Sequence, residues 1–309
     1  MGIGVSIHYP RTAPFLATIM LNFHFHKYKY GKELLVDCFK LSEIAGRSIS
    51  MKELHATTFY EIFFFLEGNG SIIFEGSQLD FESPAVLFLP PARPRRWNMP
   101  GIPDCSLIIF EGEFMESFLK DHLFLHRLYY FGNFDCAPVL PLQSKDVSYF
   151  RDLSDRIKDE IRNQSSDSQH LLRAYLYQLL ILLNRNYADY YQLKGNLYQN
   201  TNILKFKDLL RKHIREKQTV KEYAELLGIN RNRLNQLCHE SFGKDANMVI
   251  RNELLQSCKN ELLTGNKTIA EISYEHNFSA PSNFVRFFKS LTKISPAVYR
   301  TEYMQIDND

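Results

Sequence analysis

The sequence predicts an α+β fold, in which a β-barrel or sandwich is followed by helices. Three observations predict it. Short β-branched or aromatic runs recur up to about residue 113; apolar residues then recur at helical spacing; and one helix, turn, helix pattern occurs twice near the C-terminus. At 309 residues and 45% hydrophobic content the chain can bury two cores, at about 150 residues per domain.

In order, "LLVDCFK", "FYEIFFFL", "SIIFEG", "QLDFES", "AVLFLPP" and "SLIIFEG" read as strands of a barrel over about 20–113. Glu67-Gly68-Asn69-Gly70, between two of them, predicts a hairpin. From Phe114 the period changes. Val147, Phe150, Leu153, Ile157 and Ile161 predict one amphipathic helix, and Leu172, Leu176, Leu179 and Leu183 a second, within a helical region of about 114–192. Leu171, Tyr175, Leu180 and Leu182 widen the apolar surface of the second helix. That surface predicts a hairpin that packs on the barrel and also pairs two subunits into a homodimer. "LKGNLYQNTN", Leu193 to Asn202, is polar, carries Gly195 and reads as a linker. The expected domains are 1–195 and 203–305.

Five cysteines without a C-x-x-C pair predict a reducing, cytoplasmic location and no structural metal. The apolar run Leu171–Leu183 is shorter than a bilayer span. His8, Pro10, Arg11 and Pro14 interrupt the N-terminal pattern of a secretory signal, so export and membrane association are not expected; Met1-Gly2 with Ser6 fits the loose myristoylation pattern that chance often supplies. From Ile203 onward there are 17 Lys and Arg against 13 Asp and Glu, net +4, which leaves −2 for the rest of a +2 chain. The basic third hints at a phosphate-bearing partner.

The repeat carries the functional expectation. Thr219/Glu222 and Thr268/Glu271 are T-x-x-E capping boxes, which close a helix start reciprocally. Each first helix then ends at a residue that tolerates positive φ, Gly228 or Asn277; next comes an apolar residue, Ile229 or Phe278, and a fresh N-cap, Asn230 or Ser279. The second helices align as Leu234/Phe284, Leu237/Phe287 and Cys238/Phe288 after one inserted residue. Such a unit presents a braced helix to a groove, and two units joined by a helix over about 247–263 can enter major-groove segments about 34 Å apart. With Leu234 and Leu237 inward, Arg231, Asn232, Asn235 and Gln236 are expected to face outward, where Arg reads guanine and Asn or Gln reads adenine.

"TVKEYAELLGINRNRLNQL" and "TIAEISYEHNFSAPSNFVRFFKSLTKISPAVYR" resemble the two helix-turn-helix subdomains of the AraC/XylS transcription regulators, most specifically in "FVRFFK…SPAVYR". "FYEIFFFLEGNGSIIFEG…LFLPPARPRRW" resembles the cupin-like sensor barrel of the same family. The resemblance implies a bacterial DNA-binding regulator with double-stranded DNA, a small-molecule effector and RNA polymerase as partners. It implies major-groove roles for Ser282, Asn283 and Arg286, while Lys289 and Lys244 suit phosphate contacts. Three residues depart from the pattern: Asn277 and Lys293 stand where glycines are usual, and Leu254 where the linking helix usually carries arginine.

An enzyme is the competing class, specifically a metal-dependent cupin with a helical accessory domain. His24 and His26 alternate along one strand, and His55 precedes Glu61. Arg95, however, stands where the second metal motif would carry histidine, and a cation there opposes a metal. No G-x-S-x-G, P-loop or H-E-x-x-H is present. No catalytic residue, metal or cofactor is therefore expected, and Glu61, Arg95 and Trp97 are the expected ligand-binding groups of the barrel.

Overall fold

The computed structural model describes residues 5–8, 21–29, 32–44, 52–74, 77–119, 121, 123–132, 136–193, 201–264 and 267–305. These fall into two compact units, one up to residue 193 and one from residue 201. Most of the expected linker, including Gly195, and the Met1-Gly2 pattern lie outside the described residues.

The N-terminal unit carries β1 (Val5–His8), β2 (Leu21–Phe25), β3 (Tyr28–Lys29), β4 (Lys32–Glu33), β5 (Val36–Lys40), β6 (His55–Thr57) and β7 (Tyr60–Glu67). There follow β8 (Asn69–Phe74), β9 (Ser77–Glu82), β10 (Ala85–Leu89), β11 (Arg95–Asn98) and β12 (Asp104–Phe110). One sheet runs β1-β2-β6-β11-β8-β9, and the other runs β13-β10-β7-β12-β5, where β13 is Val139–Pro141; β3 and β4 form a small ribbon. The sheets face one another. Phe63 and Phe65 of β7 share a core with Phe23, Ile72 and Trp97 of the other sheet, whereas their neighbours Ile62 and Phe64 point the opposite way into the helices. The five-stranded sheet is thus covered on both faces, which is why "FYEIFFFL" lacks polar alternation.

Two expectations change here. The Glu67–Gly70 stretch is no hairpin, because β7 and β8 lie in different sheets. Gly68, at φ 101°, turns the chain from one layer to the other, and its carbonyl accepts from Ser83 N at 3.1 Å. The strand region also does not end near residue 113, since β13 returns to pair with β10 in the register Val86↔Leu140. β13 is a three-residue edge strand beginning after Pro138 and ending at Pro141, too short to show a period.

The helices of this unit are α1 (Gly112–Leu119), α2 (Phe124–Arg127), α3 (Tyr129–Gly132), α4 (Ser144–Asn163) and α5 (Ser168–Tyr190). Phe150, Leu153, Ile157 and Ile161 of α4 and Leu172, Leu176, Leu179 and Leu183 of α5 bury the predicted stripes against the sheet. Polar bonds fix α5 as well: Asn184 Oδ1 accepts from Tyr129 N at 2.6 Å, and Tyr130 Oη donates to the Leu180 carbonyl at 2.9 Å. Leu171 and Tyr177 remain exposed, the Tyr177 ring stacked on Phe124 at 5.2 Å between centroids.

The C-terminal unit is helical: α6 (Thr201–His213), α7 (Val220–Leu227), α8 (Arg231–Phe242), α9 (Ala246–Thr264), α10 (Ile269–Glu275), α11 (Pro281–Thr292) and α12 (Pro296–Gln305). α9 is the spine. Ala246, Ile250, Leu254, Cys258 and Leu262 are buried at four-residue intervals, and α9 touches α6, α7 and α8 on one side of the repeat and α10 and α12 on the other. Leu254 therefore belongs to that packed row.

Trp97 is the chain's one tryptophan and lies in the inter-sheet core against Phe63 at 4.7 Å between ring centroids. Its fluorescence therefore reports on the N-terminal unit. Phe63→Ala is expected to destabilise that unit by about 3–5 kcal/mol, read as a lower denaturation midpoint of the Trp97 signal; an unchanged midpoint would contradict this packing.

Candidate functional site

The two helix-turn-helix units are built by the same local bonds. Thr219 Oγ1 accepts from Glu222 N and the Glu222 carboxylate accepts from Thr219 N, and Thr268 with Glu271 repeats the arrangement. The bonded hydroxyl and amide of Thr219 hold the Glu222 carboxyl below its ordinary range, and the Thr268 backbone does the same for Glu271. At the first turn Gly228 N donates to Glu225 O and Ile229 N to Ala224 O; at the second Asn277 N donates to Tyr274 O and Phe278 N to Ser273 O. Gly228 (φ 66°) and Asn277 (φ 57°) both occupy the left-handed region. Asn230 caps α8 through its side chain, bonding Arg233 N at 2.8 Å. The second unit differs from expectation: Ala280 is the N-cap of α11, because Pro281 takes the first helical position, and Ser279 Oγ accepts instead from Asn283 Nδ2 at 2.7 Å.

Leu234, Leu237, Cys238, Phe284 and Phe288 are buried, and Phe287 is half-buried. Arg231, Asn232, Gln236, Ser282, Arg286 and Lys289 are exposed, and Asn283 and Lys244 are half-buried. Asn283 Oδ1 accepts from Arg286 Nη2, so Asn283 and Arg286 of α11 form a bonded row with Ser279, which precedes the helix. Asn235 does not face outward. It is half-buried, and its Oδ1 caps α9 by accepting from Ala246 N at 3.0 Å. Arg233 was not among the expected contacts, yet it is exposed on α8 and donates to Gln236 Oε1 at 2.9 Å; the three-residue spacing of the two was the available signal.

The two units are also tied directly. Asn277 Nδ2 donates to Glu216 O at 3.1 Å, and Gln218 Nε2 donates to the His276 carbonyl. His276 is buried, with Nδ1 2.9 Å from Ile272 O and Nε2 2.8 Å from Ser257 Oγ on α9. Since a carbonyl only accepts, Nδ1 carries the proton and Nε2 receives the Ser257 hydroxyl. Burial lowers the pKa of this histidine, consistent with the neutral ring. Arg215 and Lys267 converge on Glu261, and Lys267 also reaches Glu275 at 2.5 Å. In the closing "SPAVYR", Arg300 donates to Leu262 O and Lys267 O, the carbonyls around the end of α9. Lys293 ends α11 at φ 69°, in the place that Gly243 (φ 64°) holds after α8.

In the N-terminal unit Arg95 is fully buried and pairs with Glu61. It also donates to Thr57 Oγ1 at 2.7 Å and Arg93 O at 2.9 Å. A cavity of about 40 Å³ lies beside this cluster, lined by His55, Thr57, Glu61 and apolar side chains. Glu61 faces it; Trp97 does not line it and is held instead among Phe63, Phe65 and Phe81. Burial, then the charge of Arg95, pushes His55 down to about 3. His24 and His26 lie on the exposed face of the β2 segment, whose Leu21, Phe23 and Phe25 point inward, so they do not join His55 and Glu61. Among the described residues no three His, Cys, Asp or Glu side chains are grouped to hold a metal.

Two measurements follow from these bonds. Asn277→Gly keeps the left-handed turn and deletes one hydrogen bond of about 1 kcal/mol, so amide exchange across residues 214–219 is expected to rise severalfold with both units still folded; unchanged exchange would show the tie to be unpopulated. His55 binds a proton near 6.5 when unfolded but only near 3 when folded. The unfolded state therefore takes up the proton first, and the N-terminal unit is expected to lose stability as pH falls from 6.5 towards 3, by up to about 1.4 kcal/mol per pH unit from this group. Melts followed by Trp97 fluorescence should show a shallower acid slope in His55→Phe.

Residues 223–302 match the family described as "Helix-turn-helix domain". A curated relative, an uncharacterized HTH-type transcriptional regulator of Staphylococcus aureus (strain COL), is 21% identical over 157 residues, 51% of this chain and 21% of its own length. The chain thus spans about a fifth of the length of the curated relatives it matches. Among solved structures, ToxT from Vibrio cholerae is 16% identical with a TM-score of 0.42, over 87% of this chain and 97% of that one. An AraC-type DNA-binding regulator from Chromobacterium violaceum is 20% identical with a TM-score of 0.33, over 36% and 98%. Residues 223–302 of this chain are accordingly a helix-turn-helix domain.

Proposed function

We propose that this chain is a sequence-specific, double-stranded-DNA-binding regulator of transcription. The observation that carries the reading is the pair of helix-turn-helix units with the same turn bonds, built on one shared spine helix. A single such unit is common in helical bundles; two on one spine give a duplex reader two entry points. Arg231, Asn232, Gln236, Ser282, Asn283 and Arg286 would read bases, while Lys289 and Lys244 would hold phosphates. Asn235, engaged in capping α9, leaves the base-reading set.

The N-terminal unit is the sensor in this proposal, its cavity taking a small effector whose binding shifts the population of DNA-competent arrangements. The exposed Leu171 and Tyr177 of α5 support a homodimer formed through the α4–α5 hairpin. A cytoplasmic site of action and contact with RNA polymerase belong to the same reading. The separation of His24 and His26 from His55 and Glu61 speaks against the metal-dependent enzyme.

Selection of bound genomic fragments, followed by anisotropy titration at two salt concentrations, tests the proposal. A specific site with a steep salt slope is expected. Arg286→Ala should weaken that site by about 1–3 kcal/mol and relax preference at one base position, whereas Lys289→Ala should weaken all sequences alike and reduce the salt slope by about 1. Absence of any preferred fragment would overturn the reading.

A further inference from the structure

The cavity between the two sheets has apolar walls, among them Phe23, Phe39 and Leu107, and three polar side chains, His55, Thr57 and Glu61. Where the protons of those three are used decides what can enter. His55 Nδ1 lies 2.9 Å from Glu53 O, which can only accept, so Nδ1 carries the proton and Nε2 offers a lone pair. The hydroxyl proton of Thr57 goes to Phe59 O at 2.9 Å, and its oxygen accepts from Arg95 at 2.7 Å. Glu61, ion-paired with Arg95, has only acceptor sites. Arg95 directs its two terminal nitrogens to Arg93 O, Thr57 and Glu61. Asp37 stands in the same row as Glu61, one on each side of Ile109 across the sheet, which adds a second carboxyl to that inner face.

We propose that this cavity takes the hydrogen-bond-donor head of a small amphiphile, an alcohol or a protonated amine on an apolar body, and rejects a carboxylate head. The inference rests on the reading of the N-terminal unit as an effector-binding unit. A volume of about 40 Å³ is about three times what one water needs, so it admits a hydroxymethyl or aminomethyl head, and the apolar walls receive the methylenes behind it. A donor head satisfies the free lone pairs of His55 and Glu61. A carboxylate would bring further acceptors against acceptors and lose its own hydration without return. The acid shift of His55 keeps its Nε2 an acceptor throughout the physiological range.

The test is calorimetric titration of the full chain with octan-1-ol, octylammonium chloride and sodium octanoate, three probes that share one alkyl body and are used below their aggregation limits. At least one donor probe is expected to bind tenfold or more tightly than octanoate, and comparison of the two donors tells an alcohol from an ammonium ligand. Leu107→Phe, which fills the cavity, should abolish binding, and folded His55→Phe should reduce the donor preference below threefold. Octanoate binding as tightly as the donors, or donor preference retained in folded His55→Phe, overturns the inference while leaving the sensor reading in place. Binding of none of the three overturns both. Should His55→Phe not fold, the ranking by the native chain decides alone.

Discussion

The left-handed residue between the two helices of each unit is the constraint on which the C-terminal structure depends. A right-handed residue at 228 or 277 would carry α7 or α10 onward; instead φ values of 66° and 57° turn the chain within one residue and let two backbone amides close the free carbonyls of the helix behind. In the second unit the apolar residue that follows, Phe278, is thereby aimed at the next helix. For Phe278 this contact is visible as ring pairs with Phe284 at 5.4 Å and Phe287 at 5.3 Å. The angle of the outward helix is thus set by backbone bonds and one aromatic wedge, leaving residues such as Ser282 and Arg286 free of any duty in the core.

Asn277 shows how a departure from glycine can be useful. Glycine would occupy the same φ with less strain, but it could not reach Glu216. The amide links the second turn to the segment before α7, the Gln218 bond to His276 O runs the other way across the same seam, and Ser257 joins both to α9. Helical domains open at their least packed seams, and this one is closed by side chains that belong to both units. On the proposed DNA-binding reading, a fixed spacing between the two helices would convert two weak contacts into one selective one, because a duplex whose sites are out of register could satisfy only one of them.

Much of this was legible in the sequence because its causes are local. The capping boxes, Gly228, Asn277 and the Leu234 and Phe284 stripes depend on residues within one turn of one another. Asn235 misled for the opposite reason: its place on the helix looked outward, but the start of α9, eleven residues on, takes its side chain as a cap. Ser279 yielded its capping position to Ala280 because Pro281 prefers the first helical turn. Gly68 reads as a turn, yet whether a turn joins strands of one sheet or of two depends on distant partners, such as Asp104 opposite Glu67 and Phe110 opposite Tyr60. Trp97 and Arg95 are two residues apart on β11 and point into the same interior, but only tertiary packing decides that one meets phenylalanines and the other a carboxylate.

The Arg95–Glu61 pair is not explained by stability. Removing two charges from water costs several kcal/mol per ion before their attraction offsets it, and well-packed apolar pairs are often equally stable. What the pair does supply is direction. Arg95 fixes the Glu61 carboxylate at the cavity wall, turns the Thr57 hydroxyl towards Phe59 O, and lends its charge to keeping His55 neutral. An apolar replacement would leave those three groups to rotate or titrate independently. The buried cation therefore acts as the organiser of the polar wall around it, and the polarity of that wall is a property of the whole cluster that no one of its residues would have alone.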